Sequence, residues 1–174
     1  MHRFSLLVVG LGLLATGCGG SDSSPSAPSQ GTTTTTTYTV QLSAANEVPA
    51  ITNADVNGRG TAVIALTATK DAAGNVTSAT LNCQVSVTGL PAGATVTDAH
   101  IHNGNAGVNA GVFVSMGVTA GDLIVANGSG SLTKNGISVP SDKAAAILSN
   151  PAGHYFNVHT GLNPGGATVA TRNE

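Results

Sequence analysis

The sequence has no tryptophan, two tyrosines and three phenylalanines, so aromatic rings make up 3% of its 174 residues. A sugar-stacking surface needs exposed Trp or Tyr, and Tyr38 and Tyr155 are a thin supply. Charge is nearly as scarce, at 8%, with six basic and eight acidic residues, a net charge of −2 and a pI near 6.2. That balance leaves no basic face for nucleic acid. The shortage of Glu, Lys and Arg also excludes long helices and coiled coils. Two cysteines are too few for a disulfide framework. What remains is a palette of 23 Gly with abundant Thr, Ala, Val and Ser, which suits short strands joined by tight turns. The length fits one ordinary domain.

Long apolar runs are missing too. The longest, Phe4 to Thr16, would span roughly 20 Å as a helix, short of the roughly 30 Å hydrocarbon core. His2 and Arg3 precede it and small residues follow it, the layout of a secretory signal over residues 1–17. Leu14-Ala15-Thr16-Gly17-Cys18 resembles the bacterial lipobox, in which the Cys becomes the lipidated first residue. That resemblance implies membrane attachment through Cys18. Gly19 stands where Asp often marks inner-membrane retention, so the expected location is the outer membrane or the cell surface. An ordinary cleaved signal with a free Cys18 thiol and an uncleaved anchor are the competing readings.

Residues 18–37, ending in six consecutive Thr, carry no large apolar side chain. Such a segment cannot offset its ordering entropy by burial and is expected to be a solvated tether, with a reach on the order of 25 Å. The Thr run is also a candidate for glycosylation. With Cys18 acylated, Cys83 has no disulfide partner. It shares an alternation face with Ala79, Leu81, Val85 and Val87 and is expected to be buried and inert.

From Tyr38 onward the hydrophobic period is two. Strands are predicted at Tyr38 to Leu42, Thr61 to Thr69 and Val76 to Thr88, the last two joined as a hairpin through Asp71-Ala72-Ala73-Gly74-Asn75. Further strands are predicted near Thr95 to His102, Gly111 to Met116, Leu123 to Ala126 and His154 to Thr160. One helix is expected over Ser141 to Ser149, after Pro140 and before Asn150-Pro151. The pattern is all-β, a sandwich or barrel with one short helix near 141–149.

Of the five histidines, His2 lies in the leader, leaving His100, His102, His154 and His159. His100 and His102 are two apart on a predicted strand and leave the same face, at a separation of about 7 Å from which two imidazoles can converge on one ion. Asp98 precedes them on that face. His159 shares a face with Asn157 and Tyr155, whereas His154 has the opposite parity and is left out of the candidate site. Two readings follow. The rings hold copper or zinc, with Asp98 as a fourth or outer group, or they hydrogen-bond one another, Asp98, Asn157 or backbone and pin two strands together. Glu47, followed by Val48-Pro49, is expected at a strand end, making a contact that fixes a loop. No nucleophile elbow, phosphate loop, Cys-paired zinc motif or EF-hand is present.

Five segments together resemble the CHRD domain, named for its repeats in chordin. They are Asn46-Glu47-Val48-Pro49; Gly58 and Gly60; Ala99-His100-Ile101-His102 with Gly104; Tyr155-Phe156-Asn157-Val158-His159-Thr160; and Asn163-Pro164-Gly165-Gly166. The domain is placed at 38–174. Where the family commonly closes with a Glu-Ile-Arg-Gly-Gln-like strand, this chain reads Ala167-Thr168-Val169-Ala170-Thr171-Arg172. The resemblance implies an immunoglobulin-like β-sandwich or barrel, distantly like copper/zinc superoxide dismutase, and no enzymatic activity. Full dismutase chemistry is excluded by too few histidines and by the lack of a disulfide. The expectation is a lipid-anchored envelope protein displaying a non-catalytic binding or structural module, whose partner is an unidentified protein or envelope ligand. Its alternative is a copper- or zinc-binding protein using His100, His102 and His159, with Glu47, Asn157 and Tyr155 as structural or ligand-contacting neighbours.

Overall fold

The computed structural model describes residues 31–105, 107–166 and 168–171. Residues 1–30, which hold the expected signal, Cys18 and most of the expected tether, lie outside them. The described residues form nine antiparallel strands, β1 (Thr32–Ser43), β2 (Arg59–Lys70), β3 (Val76–Thr88), β4 (Thr95–Asn103), β5 (Val112–Ser115), β6 (Leu123–Ile124), β7 (Ser129–Val139), β8 (His154–Thr160) and β9 (Thr168–Thr171). One α-helix, α1 (Ser141–Ser149), lies between β7 and β8. The neighbour order is β5-β4-β8-β9-β1-β2-β3-β7, with β6 also on β4. Two antiparallel layers result, joined where β9 pairs with Gln41–Ser43 of β1 on one side and with Asn157 and Val158 of β8 on the other. The fold is a β-sandwich with one helix.

Local chemistry accounts for most of these elements. In the β2–β3 hairpin, Asp71 accepts from the Ala73 and Asn75 amides at 3.0 and 2.8 Å, and Gly74 takes the positive φ of 87° that the turn requires. The apolar faces Ala62, Ile64, Leu66 and Ala68 of β2 and Leu81, Cys83, Val85 and Val87 of β3 then bury against Ala99, Ile101, Phe156 and Val158 of the second layer. Helix α1 packs on β3 through Ala144 and Ile147. Cys83 is 1% exposed, and burial pushes its thiol pKa up to about 12, so it behaves as a small apolar side chain.

Two features differ from the sequence reading. The six Thr belong to β1, not to a tether. The strand starts at Thr32 and pairs residue by residue with β2 as far as Thr32↔Lys70. Threonine has high β-propensity, and here β2 offers it matching partners, with hydroxyl contacts of 2.9 Å for Thr33–Thr69 and 2.8 Å for Thr35–Thr67. The second difference is β7, which no alternation announces. Its pairing with β3 is irregular between Leu81 and Cys83, Gly136 has φ 66°, and the Gly136 amide donates to the Asn82 side chain at 2.8 Å. That bulge switches the inward parity from Leu132 to Val139, so Asn135-Gly136 reads as a turn when it is an interruption within one strand.

Candidate metal centre

The site lies on the face of the β4–β8 pair turned away from the core. Alternation sends Ala99 and Ile101 of β4 and Phe156 and Val158 of β8 inward, and sends Asp98, His100, His102, Tyr155, Asn157 and His159 to the other side. The register sets Asp98 opposite His159, His100 opposite Asn157 and His102 opposite Tyr155. Three connections cover this face. One is the turn after β1, a 3-10 helix over Ala44–Asn46 capped by the Ser43 hydroxyl, which delivers Glu47. The second precedes β5 and brings the Ala110 carbonyl. The third follows β8 and brings the Pro164 carbonyl. Fully buried Asp55 holds the third connection by accepting from the Thr160 hydroxyl and from Nδ2 of the Asn163 side chain.

Under these connections His100, His102 and His159 are each less than a tenth exposed. One ring nitrogen from each lies within 4.8 Å of the other two. Their outer partners decide which nitrogens those are. His102 Nδ1 lies 2.9 Å from the Ala110 carbonyl and His159 Nδ1 lies 2.8 Å from the Pro164 carbonyl. A carbonyl only accepts, so both Nδ1 atoms carry hydrogen and both Nε2 atoms are bare in the neutral rings. His100 Nε2 lies 2.9 Å from Asp98, which likewise takes an N–H and leaves Nδ1 bare.

His100 Nδ1 and His159 Nε2 then face each other at 3.1 Å with a lone pair each, and His102 Nε2 is buried with no hydrogen-bond partner. A proton shared by His100 and His159 would make an imidazolium where burial, the largest influence on His100, lowers its pKa. The His102 pKa is lowered for the same reason. A divalent ion resolves the conflict without a proton. Imidazoles about 2.0–2.1 Å from one zinc ion stand roughly 3.3 Å apart at tetrahedral angles. Each ring also donates its other N–H to an oxygen, the usual support for a ligating histidine.

The remaining sequence candidates take different places. Asp98 is an outer partner that orients His100 and also accepts from the Ala99 amide at 2.8 Å. Tyr155 stacks on His102, with centroids 4.7 Å apart and planes within 4°, and its hydroxyl accepts from the Ala110 amide at 3.2 Å. His154 is outside the cluster, packed against Phe113 and bonded to the Asn150 carbonyl. Glu47 lies just after the end of β1 and accepts from the Val48 amide, in keeping with a loop-fixing contact, and it is also buried. It is 7% exposed, desolvation raises its pKa to about 7 against the lowering effect of the Val48 amide, and Oε1 has no partner. Sequence reasoning missed the Ala110 and Pro164 carbonyls, which carry no residue-type signal. Pro164 at least lay inside the Asn163-Pro164-Gly165-Gly166 motif.

A family model, the CHRD domain, matches residues 38–167. No curated protein and no solved structure matches the chain.

Proposed function

The chain belongs to the CHRD domain family, and from that premise we propose that it is an envelope protein whose non-catalytic β-sandwich holds a copper or zinc ion between His100, His102 and His159. One observation carries the reading: a ring nitrogen of each of the three histidines converges while the other nitrogen of each lies within hydrogen-bond distance of an oxygen. A purely structural cluster would place a proton donor between facing nitrogens. Imidazole-only donors suit zinc and copper over magnesium or calcium. The test is metal content of protein purified without a histidine tag. The wild type is expected to carry about one equivalent of zinc or copper after loading and desalting. The His100→Ala, His102→Ala double variant is expected to carry a tenth of that or less. Equal content in the two proteins overturns the metal assignment.

Residues 4–18 support a second element of this function, attachment to a membrane by acyl chains on Cys18. Each buried CH₂ contributes about 0.8 kcal/mol, and the two or three chains of a bacterial lipoprotein suffice for stable anchoring where one does not. Cys18→Ser is expected to move the protein from the membrane pellet to the soluble fraction. A variant that still pellets rules the lipid out. The anchor would display the module at the outer membrane or the cell surface, within reach of ions and of protein partners in the envelope.

A further inference from the structure

Beside His102 lies a cavity of about 20 Å³, walled by Glu47, Tyr155, Asn157, Val108 and Gly165 among others. That volume holds about one water molecule. Three of its wall residues present buried polar atoms with no hydrogen-bond partner: Glu47 Oε1, Asn157 Oδ1 and His102 Nε2. The three residues are 7%, 3% and 6% exposed. Leaving such atoms unpaired is costly, and three around one cavity point to a missing species. Asn157 Oδ1 and His102 Nε2 are acceptors, and Glu47 is one when ionised above its raised pKa of about 7, so the species must then bring hydrogen or positive charge. An ion held by the three histidines would meet His102 Nε2, which leaves the two oxygens.

Gly166 lets the Glu47–Asn157 pair of this wall pack directly on the backbone. Its φ is 131°, and a Cβ there would sit 2.5 Å from Asn157 Nδ2 and 2.7 and 2.9 Å from the two Glu47 oxygens. Any side chain at 166 would displace the Glu47–Asn157 pair.

Resting on the three-histidine reading, we propose that the ion keeps a fourth, exchangeable position filled by a water-sized hydrogen-bond donor. Its two hydrogens are accepted by Glu47 Oε1 and Asn157 Oδ1. Three protein ligands with an open fourth position leave room for a small ligand, unlike a closed structural zinc site. The cavity's size admits only water or an ion of similar size, and its two acceptor oxygens favour water. Glu47 and Asn157 are positioning residues for it, not ligands of the ion.

The experiment uses the chain loaded with Cu(II) alone and followed by electron paramagnetic resonance at pH 8. One bound equivalent whose copper lines broaden in ¹⁷O-enriched water is the expected result, and fluoride should add a resolvable splitting. In Glu47→Gln the carboxylate charge beside the ligand is gone while its shape is kept. Fluoride should then bind at least about 5-fold more tightly at unchanged copper stoichiometry. Copper bound at one equivalent without ¹⁷O broadening overturns the exchangeable position. Broadening with identical fluoride affinity in wild type and Glu47→Gln removes Glu47 from it. Failure to bind copper overturns the three-histidine reading itself, and the pocket's role with it.

Discussion

Zinc at about a thousand times its dissociation constant is expected to raise the thermal unfolding midpoint by roughly 10–15 °C, corresponding to about 4 kcal/mol for a domain of this size. The reason is structural. The three histidines come together only when β4 and β8 are in register and the connections before β5 and after β8 are seated, so the unfolded chain has no equivalent site. Binding energy therefore becomes folding energy. His100→Ala, His102→Ala should unfold at the same temperature with and without zinc, and a chelator should return the wild type to its metal-free midpoint. Differential scanning calorimetry decides it. A wild type that zinc does not shift, or a double variant that zinc still stabilises, contradicts a site built on these rings.

Phe156→Ala is expected to destabilise the domain by about 3–5 kcal/mol, a large share of the 5–15 kcal/mol typical of a native protein. Phe156 is 2% exposed and is the largest fully buried side chain among the described residues, in a core otherwise built of Leu, Ile, Val, Ala and Met with Cys83. Small neighbours cannot swell to fill the gap, so the cavity penalty adds to the lost transfer energy. Denaturant unfolding should show a lower midpoint at a similar slope. Tyr155→Phe, one residue away, is the informative control. It points to the other face and keeps its ring on His102, so it should cost about 1 kcal/mol or less, the worth of its bond to Ala110. If the two variants were equally destabilised, the assignment of residues 155 and 156 to opposite faces would be wrong.

Legibility in the sequence tracked how local each interaction is. The β2–β3 hairpin and helix α1 are specified by neighbours in the chain, Asp71 to Asn75 for one and Pro140 to Asn150 for the other, and both fall where the pattern puts them. β7 is hidden because its bulge at Asn135-Gly136 depends on a contact with Asn82 across the sheet. The start of β1 is hidden because a Thr run has the same composition in a solvated tether and in a strand, and only pairing with Thr67 and Thr69 separates them. At the site, parity put His100 and His102 on one face and His159 beside Asn157, whereas the β4–β8 pairing that brings them together shows only in the fold. The features that settle their proton positions were not readable either. Every residue has a backbone carbonyl, so Ala110 and Pro164 look like any others until the chain is folded. Glu47 does sit just past a strand end, but its burial comes from the connection after β8, more than a hundred residues away, and no local pattern shows it.

The separation of core and site onto opposite faces of β4 and β8 also decides what kinds of change this protein can absorb. Along these strands apolar and functional residues alternate, so Ile101 stands between His100 and His102 and Val158 between Asn157 and His159. A substitution on one face leaves the other chemically untouched. A deletion of one residue in either strand does the opposite, exchanging the two faces so that imidazoles enter the core and aliphatic side chains face the ion. Over this stretch, descent can vary side chains far more freely than it can vary chain length. Insertions and losses are expected to accumulate instead in the covering connections, where the opening above the ion can be reshaped while the sandwich beneath stays the same.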